Sequence, residues 1–460
     1  MSKSKVNKNP HNDVPVSYLP TFTKFSECKD KAADNIAKFI AVQKEAIAKG
    51  EVADLRPHQI ETVEKTGQAM RQGINACSAI LPTGSGKMSI ILSLIKATNK
   101  DIRVPALIVV PTTNLLEQGL KELNRVNNAP YSIGRRLIGT QFGGKATKRE
   151  KELCNSADVV FITWQSLFSQ YKKDPSERII NLDRFPINFL DEVHTLLSKD
   201  LSQMVEKFKE KDIFIKGYTA TRNYDKHRGT GSLRKVKELL PHQIVKIKAK
   251  RYIREGVLSP CANKIVSVQN SILPSELRKI SNKQEYNEQE LGRIFSKHSE
   301  INNIAIDLYR NYQDKEGKLL FGRKAIAFCA GIEHAKQVAD QFNKSYANDP
   351  LFLEKRKANP NYRVAACASG VDVNERDKLI EAYRRGDISI LTGAEVLTVG
   401  FDVPDSEIKI AIAPTNSRIK EEQSTGRVLR KAANLPNKIA YVFNFEYGIK
   451  QKLTKDFLDN

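Results

Sequence analysis

From Leu55 onward, short apolar runs alternate with amphipathic stretches. The first series is Cys77–Leu81, Ala106–Val110, Val159–Thr163, Ile187–Leu190 and Phe214–Tyr218. A run of four to six apolar residues bounded by turn-forming segments marks a strand buried on both faces. Such strands alternating with helices build a parallel sheet covered on both sides. The alternation fades between Asn223 and about Gln313, where Lys226–Arg254 is rich in Lys and Arg and Ser271–Ser299 is polar. It resumes with Ala325–Cys329, Arg363–Ala368, Ile388–Thr392, Ile408–Ala413 and Ile439–Phe443.

The pattern predicts an α/β protein with two parallel-sheet domains in tandem. Residues 1–50 read as a polar arm and a helix, the latter from the helical spacing of apolar positions in Ala32–Ile40. Residues 51–225 read as the first α/β domain, 226–300 as a basic connector leading into the second half, and 301–460 as the second domain. A length of 460 residues suits two or three domains.

Charge changes the picture. Lys and Arg number 75 against 53 Asp and Glu, a formal charge of +22. So large an excess points to a polyanionic partner, because neutralising each phosphate releases condensed counterions. No apolar run approaches the ~18 residues of a membrane span, and the polar start Met1–Asp13 lacks a signal-peptide core. The expectation is an intracellular, cytoplasmic protein with no membrane partner. Six scattered cysteines with no CxxC pair predict neither a disulfide framework nor a zinc site.

The run Cys77–Ile80 leads into Leu81-Pro82-Thr83-Gly84-Ser85-Gly86-Lys87-Met88 and then a helical stretch. Glycines let a backbone curl around a phosphate, inward N–H groups and a helix N-terminus attract it, and Lys87 adds a charge for the β- and γ-phosphates. The position after the lysine normally carries a Thr or Ser whose hydroxyl binds Mg²⁺. Here it is Met88, whose thioether is a poor ligand for a hard cation. Ser89 lies one residue on, about 100° around the helix.

The run Ile187–Leu190 ends in Asp191-Glu192-Val193-His194. Acids at the carboxyl end of a buried strand lie where α/β sheets bind ligands. Phosphoryl transfer to water needs a metal-holding carboxylate, for which Asp191 is the candidate. It also needs a group that orients the water, for which Glu192 is the candidate.

At this point the chain resembles superfamily 2 helicases with an Asp-Glu-x-His box, over about Leu55 to Asn444. Leu55-Arg56-Pro57-His58-Gln59 is similar to their adenine-recognition element, which implies contacts from Arg56 and Gln59. Val110-Pro111-Thr112-Thr113 and Thr163-Trp164-Gln165 resemble elements that touch nucleic acid, implying Pro111, Thr112, Thr163 and Gln165 as contacts, with Thr392 added in the second half. Thr219-Ala220-Thr221 resembles the element coupling ATP state to movement, with His194 in the same role. Leu397–Pro404 is similar to a motif contacting ribose and nucleic acid, which implies Gly400 and Asp402. Gln423–Arg430 is similar to the arginine-finger motif, implying Gln423, Arg427 and Arg430 as catalytic with Lys87, Asp191 and Glu192. Arg427 and Arg430, three residues apart, are expected on one helix face.

The resemblance implies two RecA-like domains, ATP bound through Pro82–Met88, and Mg²⁺ held by Asp191. Ile253–Pro260 and Pro414–Arg418 resemble the branch with type I restriction translocases and DNA-repair helicases. That favours DNA over RNA as the track. An RNA helicase, or a weakly hydrolysing nucleic-acid clamp because of Met88, stand as alternatives.

Overall fold

The computed structural model describes residues 19–132, 134–194, 199–220, 237–269, 273–280, 286–394, 403–449 and 451. It divides into two units, the main break falling between Lys246 and Ile247.

The first unit is built on seven strands: β1 (Ala76–Ile80), β2 (Ala106–Val110), β3 (Gly139–Phe142), β4 (Val159–Thr163), β5 (Ile187–Leu190), β6 (Phe214–Thr219) and β7 (His242–Lys246). They lie in the order β3-β4-β2-β5-β6-β1-β7, with every pairing parallel. The central strands β1, β2, β4 and β5 are buried along their whole length, as their largely apolar runs require, with Ser78 and Asn188 buried among them. One face packs on a core that includes Leu107, Val160, Phe185, Leu190 and Ile215. Helix Phe25–Ala48 turns Cys28, Ala32, Ile36, Phe39 and Ile40 inward at helical spacing. It packs on helix Pro57–Arg71, where Pro57 occupies the first turn and costs no hydrogen bond. Gly67 permits the close approach, since a Cβ there would stand 2.8 Å from Ile36 Cγ2.

The second unit carries six parallel strands: β8 (Cys261–Ser267), β9 (Ala325–Phe328), β10 (Arg363–Cys367), β11 (Ile388–Gly393), β12 (Ile408–Ala411) and β13 (Ala440–Glu446), in the order β10-β11-β9-β12-β13-β8. Its core joins Phe295, Ile301 and Tyr309 from helices Glu288–Lys297 and Glu300–Asn311 to Val364, Ile390, Ile410 and Phe443 from the sheet. The expected pair of parallel-sheet domains is therefore present. Between them in sequence, the basic stretch contributes β7 to the first sheet and β8 to the second. No helix among the described residues is long and apolar enough to cross a membrane.

Candidate active site

Sheet order brings the first unit's predicted chemistry together. β1, β6 and β5 are successive neighbours, so the loop after β1, Thr219 at the end of β6 and Asp191-Glu192 after β5 emerge side by side. The loop's turn is made by Gly84 (φ 86°) and Gly86 (φ 77°), both in the left-handed region that favours glycine. Gly86 is also the N-cap of helix Lys87–Thr98. A Cβ on Gly86 would lie 2.5 Å from Gln59 Nε2, so the Gln59 amide packs against the bare loop backbone. Gln59 is itself fixed, its Oε1 accepting the Arg56 N–H at 2.9 Å, while the Arg56 residue is exposed. Pro82 and Ser85 are buried, and Thr83 is half-buried.

Lys87 Nζ donates to Glu192 Oε1 at 2.7 Å and stands 3.6 Å from Asp191 Oδ1. The three side chains are only 12%, 16% and 12% exposed, so these charges are desolvated and act strongly on one another. Burial alone would lower the Lys87 ammonium, but the Glu192 and Asp191 carboxylates outweigh it and hold it above its ordinary value. Burial raises Asp191. Glu192, in closer contact, is held well below the carboxylate range because Lys87 and His194 overcome the same burial.

Glu192 has φ 49°, uncommon for a residue with a side chain. His194 Nδ1 lies 3.2 Å from Glu192 Oε2 and 3.3 Å from Thr219 Oγ1. The Leu81 N–H donates to the Thr219 carbonyl at 2.9 Å. Loop, carboxylates, His194 and Thr219 thus form one connected polar cluster. Sequence reasoning did not foresee the support given by Trp164, whose Nε1–H donates to the Asp191 carbonyl at 3.2 Å. The chain's single tryptophan was legible only as part of a motif.

Met88 is half-buried at the start of the helix. Ser89 does not take over the missing hydroxyl, since its Oγ donates to Glu122 Oε1 and accepts from Arg125 Nη2 at 3.2 Å. Glu122 and Arg125 sit on helix Thr113–Asn127 and grip each other through two hydrogen bonds of 2.9 and 2.7 Å. Among the described residues no group of three or more His, Cys, Asp or Glu is arranged to hold a metal alone. The site instead offers the single carboxylate of Asp191 beside Lys87, a donor set that fits Mg²⁺ sharing its shell with phosphate oxygens and water. The loop fits a nucleotide as well, because its two left-handed glycines, Gly84 and Gly86, bend the backbone with no side chain over it.

Among the proposed strand contacts, Pro111 and Thr112 are half-buried where β2 leads into helix Thr113–Asn127, and Gln165 is exposed. Among the described residues Thr112 Oγ1 has no hydrogen-bond partner. The Thr163 hydroxyl caps helix Trp164–Tyr171 by accepting from the Ser166 N–H at 3.1 Å. Thr392 needs correction as a contact. It is fully buried on β11, and its hydroxyl donates to the Ala335 carbonyl at 2.7 Å, so its role is internal.

In the second unit, helix Arg418–Leu429 carries Gln423 and Arg427. Arg430 is not on that helix face as expected. The helix ends at Leu429, Arg430 is extended, and it bridges Leu258 while the Ser259 N–H takes the Leu429 carbonyl at 2.7 Å. The Arg430 carbonyl accepts from Lys438 Nζ at 2.8 Å. Thr221, Gly400 and Asp402 lie outside the described residues.

Comparison with known proteins agrees with this architecture. Residues 53–223 match the family described as type III restriction enzyme, res subunit, and residues 308–432 match the helicase conserved C-terminal domain. The chain thus carries both matched helicase-type domains, and these findings support an NTP-dependent helicase or translocase of superfamily 2. It is 24% identical over 390 residues to DNA 3'-5' translocase XPB2 of Sulfurisphaera tokodaii, covering 82% of this chain and 79% of that protein. Its fold is similar to the ATP-dependent type ISP restriction-modification enzyme LlaBIII bound to DNA (TM-score 0.57, 18% identity), over 86% of this chain and 28% of that one. It is also similar to Mycobacterium smegmatis helicase Lhr bound to ssDNA and AMP-PNP (TM-score 0.55, 18% identity), over 88% of this chain and 47% of that one. Those likenesses establish a tandem RecA-like fold, and this chain spans under half of either structure.

Proposed function

We propose that this chain hydrolyses ATP to drive a helicase or translocase along DNA. The observation that carries the reading is the buried cluster of Lys87, Glu192 and Asp191 at the mouth of a glycine-bent loop, in a chain matching both helicase domains. The backbone of Gly84–Lys87 is suited to cradle phosphates; Gln59 and Arg56 would contact the adenine and Lys87 the terminal phosphates. Asp191 would hold Mg²⁺, which supplies charge neutralisation at the transferring phosphoryl group. Glu192, kept ionised by Lys87 and His194, orients the attacking water, and Arg427 or Arg430 adds the cation the transition state calls for.

DNA is favoured because the relatives and neighbours above are named for DNA or bound to it. The charge of +22 suits backbone tracking by Lys and Arg. Steady-state ATP hydrolysis with duplex DNA, single-stranded DNA or RNA tests this. DNA should stimulate most, and affinity should fall steeply between low and physiological salt. Stimulation by RNA alone would replace the track, and salt-insensitive binding would remove nucleic acid as the partner of the charge.

One observation favours a second reading, a weakly hydrolysing nucleic-acid clamp. Met88 stands at the metal-binding position, and the adjacent Ser89 hydroxyl is engaged by Glu122 and Arg125. Tight ATP and DNA binding without stimulated turnover in the same assay would select the clamp.

A further inference from the structure

The second unit has a topological switch point of its own. From β9 the chain moves to β10 and β11 on one side, then crosses to β12 on the other. Helix Ile332–Ser345 therefore packs over β10 and β11, and helix Arg418–Leu429 over β12 and β13. The crevice left where neighbouring strands send their helices apart is the general ligand position of open α/β sheets. A cavity lies at this point, bordered by Phe328 at the end of β9 and Pro414 just beyond β12. Its volume is about 100 Å³, against roughly 10–15 Å³ for one water. That is room for several waters or one planar ring.

The walls include the rings of Tyr286 and Phe328, with Leu291 and Pro414. The lining also includes a buried ion pair, Lys409 Nζ to Glu421 Oε2 at 2.6 Å, with side chains 1% and 3% exposed. Glu288 and Lys420 line it too and pair at 2.8 Å, bridging two helices with a half-exposed contact that costs little to open. A phosphate is a poor occupant, because Lys409 is already neutralised by Glu421 and most of the wall is apolar. A flat heterocycle is a good one, since rings can stack on it and the polar groups can meet its edge.

We propose that this cavity receives one nucleobase turned out of the bound strand, a contact that rests on the motor reading above. Stacking tolerates any sequence because every base has a π-face, so the pocket suits a motor that must advance along arbitrary DNA. Glu421, in the cavity wall, shares helix Arg418–Leu429 with Gln423 and Arg427, so a seated base would touch the helix that carries them.

The test compares affinity for a single-stranded DNA oligonucleotide with that for the same backbone made abasic. The parent should bind the intact strand about tenfold more tightly, the worth of one stacked base. Ala413→Leu, which fills the cavity, should lose that advantage on the intact strand and nothing on the abasic one. Tyr286→Ala removes a stacking wall and should behave alike, so the result does not hang on one variant's folding. Free thymidine at millimolar concentration should not compete. Equal losses on both strands, or no loss from either variant, would overturn the pocket. Competition by thymidine would reassign it to a free nucleoside. A parent that binds neither strand overturns the motor reading itself.

Discussion

Replacing Lys216 with methionine should stabilise the first unit at neutral pH and destabilise it slightly at pH 10.5. Lys216 lies in the middle of β6, fully buried, with Cys77 opposite it on β1. Its Nζ donates to the Thr66 hydroxyl and stands 5.0 Å from the centre of the Tyr218 ring. Among the described residues it makes no ion pair. Burial pushes the ammonium down from 10.5 to about 8. Between pH 8 and 10.5 the unfolded chain holds a proton that the folded one lacks, so parental stability rises with pH across that window. Below about pH 8 the folded state carries the whole cost of the buried charge. At about 1.36 kcal/mol per unit, that cost is roughly 3 kcal/mol. The hydrogen bond and ring contact given up are worth about 1 kcal/mol, and Thr66 keeps its own bond to the Thr62 carbonyl. The net gain expected at pH 7 is therefore about 2 kcal/mol, turning into a loss of up to about 1 kcal/mol by pH 10.5, where the charge cost is gone. Urea unfolding followed by the fluorescence of Trp164, buried in this unit, reads it directly. A gain of equal size at both pH values would refute a charge-based origin, and a loss at pH 7 would mean the ammonium has an anionic partner.

Glu192→Gln should abolish ATP turnover while leaving nucleotide bound, because Lys87 keeps Asp191 at 3.6 Å; parental turnover in that variant would refute the catalytic assignment. Met88→Thr should raise the turnover rate several-fold and lower the Mg²⁺ concentration needed, with ATP affinity changed less. Equal Mg²⁺ dependence in the two proteins would show that water already serves. Asn188 on β5 is fully buried with no partner for either side-chain polar atom among the described residues, so Asn188→Val should raise the urea midpoint, by about 1–3 kcal/mol of stability. A lowered midpoint would show that the amide holds a water.

Strands buried on both faces were the most legible part of the chain. β2 and β4 match the apolar runs Ala106–Val110 and Val159–Thr163 residue for residue, because a central parallel strand has no solvent face to interrupt the run. β3, β7 and β8 escaped notice for the converse reason. Each is an edge strand, and β7 and β8 are largely exposed or half-buried, so Gly139-Thr140-Gln141 or His242-Gln243 carries no continuous apolar signal. At the site, the glycine loop and the acidic pair were legible as local strings. The capture of Ser89 by Glu122 was not, since the partners are 33 residues apart and meet only when two helices pack. The burial of Thr392 was hidden likewise, because a threonine at a strand end reads the same whether its hydroxyl faces solvent or a neighbouring helix carbonyl.

The turn at Glu192 ties these levels together. A non-glycine residue in the left-handed region costs of order 1–3 kcal/mol and persists only where its surroundings hold it. Here the holders are Lys87 on one carboxylate oxygen and His194 near the other, with the Asp191 carbonyl pinned by Trp164. A relaxed extended residue would continue along β5 and carry its side chain away from the loop. The strained turn keeps the carboxylate beside Lys87. Glycine at this position would relieve the backbone and remove the carboxylate together, so strain and proposed chemistry are inseparable. Because His194 also reaches Thr219, whose carbonyl holds Leu81 at the head of the loop, the Glu192 carboxylate is linked to both ends of the cluster.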